Sequence, residues 1–173
     1  MRGMPPHPGA HRRAELVTRR LLVEADGGSR GNPGLAGYGA VVRDAYTGEV
    51  LAEVSEAIGR ATNNVAEYSG LLAGLRAAAR LAPGAEAEIR MDSKLVVEQM
   101  SGRWQIKHPE LRVLAAQASQ AARALGRVSY TWVPRERNTH ADRLANQAMD
   151  AVGPRRTGNG NRPARGAGRR GLA

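Results

Sequence analysis

The segment LLVEAD at residues 21–26 opens the folded pattern: Leu21, Leu22, Val23 and Ala25 are apolar, and Asp26 closes the run. It predicts a short buried strand ended by Gly27-Gly28, then a turn at Asn32-Pro33-Gly34. Segment 38–44 (YGAVVRD) predicts a second strand. Thr47-Gly48 predicts a hairpin turn into a third strand over 50–58 (VLAEVSEAI), which makes an antiparallel meander. From Asn64 the period becomes helical: Val65, Tyr68, Leu72, Leu75 and Ala79 share one stripe, and Pro83-Gly84 end it. Segment 87–91 (AEIRM) predicts a fourth strand ending in Asp92, followed by a short helix over 93–100 and a longer one over about 110–125. Segment 128–133 (VSYTWV) has strong strand composition. Asn138-Thr139 then opens a last helix, in which Ala141, Leu144, Ala145, Ala148, Met149 and Val152 recur at helical spacing.

This order of elements predicts an α/β fold. A helix between the third and fourth strands allows a crossover, so strands four and five run parallel to strand one, and the right-handed crossover rule leaves few arrangements. Ligands collect at the carboxyl ends of parallel strands. Asp26 ends the first strand and Asp92 the fourth; if those strands are neighbours, the two carboxylates meet about 4.8 Å apart, one strand spacing. Glu67 and Asp142 lie near the starts of two helices.

Each acid also has an ordinary explanation. Glu67 stands three residues after Asn64 and Asp142 three after Thr139, both capping spacings. Asp92 fits an N-cap, and Asp26 an Asp-Gly turn. Gathered at one sheet edge and two helix N-termini, however, two or three such carboxylates repel unless a divalent cation joins them. The chain has no Cys, and four oxygen donors suit Mg2+ or Mn2+ rather than zinc. Such a cluster suits in-line displacement at phosphorus, one ion activating a water and the other stabilising the leaving oxygen. Helix N-termini beside it favour phosphate oxygens. Glu24, two residues before Asp26 on the same strand face, reads as a supporting or surface group.

The net charge of +10 on 173 residues lies entirely in the two ends. Residues 1–20 carry +4, residues 153–173 carry +6 from six Arg, and the stretch between them is balanced. Both ends lack hydrophobic periodicity, so the expected organisation is a disordered basic segment over 1–19, one folded domain over 20–152 and a disordered Arg/Gly-rich tail over 153–173. Arg-rich tails attract nucleic-acid backbones in a salt-dependent way. No run approaches the length of a membrane helix and the N-terminal segment lacks a secretory apolar core, so a cytoplasmic monomer without membrane contact is expected.

Four blocks, ADGGSRGNPG around Asp26, TNNVAEY around Glu67, MDSKLVV around Asp92 and THADRLAN around Asp142, resemble type-1 ribonuclease H, in that family's order, across residues 20–152. The resemblance implies a ribonuclease H-like fold: a five-stranded mixed sheet, three antiparallel strands then two parallel to strand one, with helices on both faces. It implies an endoribonuclease that uses two Mg2+ ions, for which Mn2+ substitutes, to cut the RNA strand of RNA–DNA hybrids, leaving a 3′-hydroxyl and a 5′-phosphate. Asp26 would bridge both ions, Asp142 would help hold the ion that positions water, and Glu67 and Asp92 would hold the other. Asn32, Asn63 and Asn64 match the family's minor-groove residues, where the 2′-hydroxyl distinguishes RNA from DNA. Thr62 would contact a DNA phosphate, and Trp104 offers a surface for stacking on the DNA strand.

Two departures from the family pattern stand out. Many members carry a basic helical protrusion after the second helix; here residues 100–109 offer only Arg103, Trp104, Lys107 and His108, which resembles the subgroup lacking it. Members with a catalytic-loop His place it well ahead of the final acid, whereas His140 is two residues before Asp142, so that role is not assigned to it. Arg135 or Arg137 is the alternative candidate for assisting phosphate departure. Two rival readings remain: a non-catalytic module that binds hybrids or other nucleic acid, which gains nothing from clustered carboxylates, and a related nuclease acting on double-stranded RNA.

Overall fold

In a computed structural model, which describes residues 19–153, five strands form one sheet. They are β1 (Arg20–Gly31), β2 (Gly34–Asp44), β3 (Val50–Ala61), β4 (Glu86–Met91) and β5 (Val128–Trp132), in the order β3-β2-β1-β4-β5. β1, β2 and β3 pair antiparallel, and β4 and β5 run parallel to β1. The helices are α1 (Asn63–Leu81), α2 (Lys94–Met100), α3 (Pro109–Ala122) and α4 (Thr139–Val152), with a 3-10 turn at Arg135–Arg137 before α4. The expected disorder of the two ends lies, apart from Arg19 and Gly153, outside the described residues.

Alternation along the strands sorts the two faces. Leu21, Val23 and Ala25 of β1 and Ala40 and Val42 of β2 join the core under α1, with Tyr68, Leu71 and Leu75 from the helix itself. Leu72, the other stripe residue between Tyr68 and Leu75, is buried there too. On the opposite face, a Cβ on Gly39 would meet Leu144 Cβ and the Ala141 carbonyl of α4, each at 2.5 Å, and one on Gly37 would meet Ala148 Cβ at 3.1 Å. Glycine on β2 therefore lets α4 lie directly on the sheet, and Gly39 is paired with Asp26.

β1 does not end at Gly27-Gly28 as the sequence suggests. Its pairing with β4 runs to Glu24↔Arg90, but its pairing with β2 continues to Gly31↔Gly34. Gly27 answers to packing rather than to a turn: a Cβ there would stand 2.2 Å from the Ala66 carbonyl carbon and 2.5 Å from the Glu67 amide nitrogen. The first turns of α1 thus rest on the backbone of β1.

Candidate active site

Continuing the β1–β4 register by two residues sets Asp26 opposite Asp92, just past the point where the two parallel strands stop pairing. α1 brings Glu67 over the end of β1, and the first turn of α4 brings Asp142. All four acids line one cleft of ≈ 300 Å³, together with Gly28, Ser29, Arg30, Asn63, Arg135, Asn146 and Met149.

None of the four acids is the cap its spacing suggested. The N-cap of α1 is Thr62, whose side chain accepts from the Val65 amide at 3.2 Å. The N-cap of α2 is Ser93, whose Oγ accepts from the Val96 amide and donates to Glu67 Oε2 at 2.9 Å. The N-cap of α4 is Asn138. Asp26 lies within a strand, not in a turn. With those roles filled by neighbours, the carboxylates face the cleft.

Burial raises the proton affinity of two of them. Asp26, only 8% exposed, is pushed up to about 8, first by desolvation, then by the charge of Asp92 and by Asp142, although the Gly27 amide opposes the shift. Glu67 is pushed up to about 7 by desolvation and, more weakly, by Asp92, against the Ser93 hydroxyl. Asp142 has a cationic neighbour, Arg135, whose Nη2 lies 3.6 Å from Asp142 Oδ1.

This is a donor set of carboxylate oxygens with a deficit of positive charge, which fits a hard divalent cation. Among the described residues no three acidic or histidine side chains already stand at metal-holding distance; the four surround the cleft rather than closing on one point. Glu24 is absent from the cleft and pairs with Arg43 at 2.6 Å. His140 is likewise absent: its Nδ1 faces Arg43 Nη2 at 2.6 Å and its Nε2 faces Glu53 at 3.1 Å.

The polar residues singled out in the sequence divide between two places. Asn63 lines the acid cleft, and its Oδ1 accepts from the Ser29 amide at 2.8 Å. Asn32, Thr62 and Asn64 line a separate pocket of ≈ 140 Å³ with His108 and Leu111. Asn32 Oδ1 accepts from the Asn63 amide at 3.3 Å, which ties the turn to the start of α1. Trp104 is 46% exposed and borders neither pocket.

Sequence reasoning missed Ser93 as the partner of Glu67, Asn146 as a cleft residue and Asn138 as more than a helix opener. Asn138 is fully buried, and its Nδ2 donates to the Ala25 carbonyl at 2.9 Å and to Asp92 Oδ1 at 3.1 Å. The indole of Trp132 donates to the Asp92 carbonyl at 3.1 Å, which fixes the backbone of the same acid. Only the Ser93 contact had a signal in the sequence, a hydroxyl directly beside a candidate acid.

Among the described residues no helix is long and apolar enough to cross a membrane. Residues 24–148 match the family model described as reverse transcriptase-like. The chain is 64% identical over 133 residues to the bifunctional protein Rv2228c of Mycobacterium tuberculosis, covering 77% of this chain but 36% of that protein. It is 43% identical to the solved RNase H1 of Halobacterium salinarum, with a TM-score of 0.73, covering 77% of this chain and 99% of the other. It is 38% identical to LC11-RNase H1, solved in complex with an RNA/DNA hybrid, with a TM-score of 0.72, covering 76% of this chain and 97% of the other. The four blocks, the 3-2-1-4-5 sheet and these likenesses agree: the chain belongs to the type-1 ribonuclease H family.

Proposed function

We propose that the protein is an endoribonuclease that hydrolyses the RNA strand of RNA–DNA hybrids, leaving a 3′-hydroxyl and a 5′-phosphate. The observation that carries this reading is the placement of Asp26, Glu67, Asp92 and Asp142 around one cleft. Asp26 and Asp142 would hold one Mg2+ and Asp26, Glu67 and Asp92 a second, with Mn2+ as a substitute. When bound, the ions supply an activated water and stabilise charge developing on the phosphate oxygens.

The remaining work falls to the chain's own groups. Ser93 aims Glu67 through its hydroxyl, leaving the other carboxylate oxygen free for the cleft. Asn63, which lines the acid cleft at the start of α1, would meet a 2′-hydroxyl of the RNA, and Asn32, Thr62 and Asn64, which line the second pocket, would face the partner strand. Arg135, 77% exposed at the rim, is free to exchange Asp142 for a product phosphate. Trp104 extends the surface on which the DNA strand would lie. The Arg-rich segment after Gly153 adds salt-sensitive affinity for the backbone. The expected form is a cytoplasmic monomer.

A labelled RNA–DNA duplex incubated with Mg2+ tests the proposal. The native protein should cut the RNA strand only, and Asp26→Asn should reduce kcat by about 10³-fold or more, as loss of a group acting on developing charge does. Cutting by Asp26→Asn at the native rate, or salt-sensitive binding without any turnover, refutes it.

A further inference from the structure

Asn138 occupies a position where the chain forgoes stability. An Asn at the N-cap ordinarily accepts from the second or third amide of its helix, a contact whose loss costs about 1 kcal/mol. At α4 no such side-chain bond forms. The amide is turned inward instead, is fully buried, and its Oδ1 has no protein hydrogen-bond partner. Its two donor bonds go to the Ala25 carbonyl, one residue before Asp26, and to the Asp92 carboxylate. Its own carbonyl accepts from the Asp142 amide at 3.1 Å. One residue therefore touches the backbone leading to the first acid, the side chain of the second and the helix turn carrying the third.

We infer that Asn138 is a positioning residue for the acid cluster: it gives up its capping bond to set the spacing of Asp26, Asp92 and Asp142 and to hold Asp92 in one rotamer, its other oxygen left for a cation. This rests on the metal-dependent reading of the cleft. Asn is suited to the task because a carboxamide donates two hydrogen bonds without adding charge beside Asp92. Asp is the same size and would cap α4, but would place acceptors against a carbonyl and a carboxylate.

The test uses the full chain with Asn138→Ala and Asn138→Ser, the second retaining both a capping oxygen and one donor. Two quantities are read: kcat and KM on the hybrid at saturating Mg2+, and, in the absence of substrate, the Mg2+ concentration giving half of the cation-induced rise in Tm. A positioning role predicts kcat lower by tenfold or more in Asn138→Ala with KM within twofold. It also predicts a half-effect Mg2+ concentration at least fivefold higher, with Asn138→Ser between Ala and native on both measures. A purely structural role would lower Tm and leave kcat and the Mg2+ half-effect of the folded variants at native values; that result overturns the inference. If Asn138→Ala does not fold, Asn138→Ser alone decides: a lowered kcat with a raised Mg2+ half-effect supports the role, and native values of both overturn it. Absence of cleavage by the native protein would count against the proposed activity, whereas an unchanged Mg2+ half-effect in the variants would count against Asn138.

Discussion

Replacing Gly27 by Ala should separate the fold from the site. The added Cβ would lie 2.2 Å from both the carbonyl carbon and oxygen of Ala66 and 2.5 Å from the Glu67 amide, where ordinary contact begins at 3.4 Å. The obstruction is helix backbone, which has no rotamer with which to step aside. α1 must therefore lift from β1 by roughly 1 Å at the turn that carries Glu67. Overpacking of this kind costs about 1–3 kcal/mol. A misplacement of about 1 Å at a reacting group costs about 10²-fold in rate. The expected result is a folded protein with a modestly lower Tm and a kcat on RNA–DNA hybrid reduced by about 10²-fold. Gly28→Ala is the packing control, since its Cβ meets only the flexible end of Met149 at 3.4 Å; it should leave Tm near native where Gly27→Ala lowers it. A Gly27→Ala protein with native kcat would refute the claim that close contact of α1 with β1 places Glu67.

Further outcomes follow from the same geometry. The raised affinities of Asp26 (from 3.8 to about 8) and Glu67 (from 4.5 to about 7) mean that the folded state binds more protons than the unfolded state across that window. Stability of the cation-free protein should therefore fall as pH rises from about 5 to 8, read as Tm in EDTA, and Mg2+ should reverse the loss at pH 8. Asp26→Asn should raise the cation-free Tm at pH 8 while abolishing cleavage. Arg43→Met strips the partner from Glu24, whose side chain is 13% exposed, and should cost about 2–3 kcal/mol in denaturant unfolding without changing kcat. A chain truncated after Gly153 loses six Arg, and its hybrid affinity should show a shallower dependence on log salt concentration, measured by fluorescence anisotropy.

How far the sequence carried depended on whether the signal was local. The apolar run at 38–44, the alternation at 50–58, the strand composition of 128–133 and the stripe from Val65 to Ala79 gave the elements, and the crossover rule gave parallel β4 and β5. Glycine was misjudged, because Gly27 looks the same in sequence whether it breaks a strand or admits a helix. Caps were misplaced by a residue or two, from Asn64 to Thr62 and from Asp92 to Ser93, because Asn, Asp, Ser and Thr share the chemistry and only backbone angles choose among them. The chain of contacts from Glu24 through Arg43 and His140 to Glu53 joins three strands and a helix, and no spacing announces it.

The position of the acids explains how so small a fold carries them. Glu24 and Asp26 share a strand face two residues apart, yet the first meets Arg43 and the second meets two more carboxylates. Arg43 stands opposite Leu22 on β2, whereas the residue opposite Asp26 is Gly39, which has no side chain to offer and whose smallness admits α4 with Asp142. One substitution in kind along β2, arginine near one acid and glycine beside the other, thus converts a satisfied ion pair into an unsatisfied cluster. The unsatisfied cluster lies just past the last β1–β4 pair, Glu24↔Arg90, while the apolar residues of β1 beneath α1 stay buried. Because a ligand that binds only the folded state stabilises it, a cation drawn to that cluster would offset the repulsion among its carboxylates, and loading and folding would favour each other.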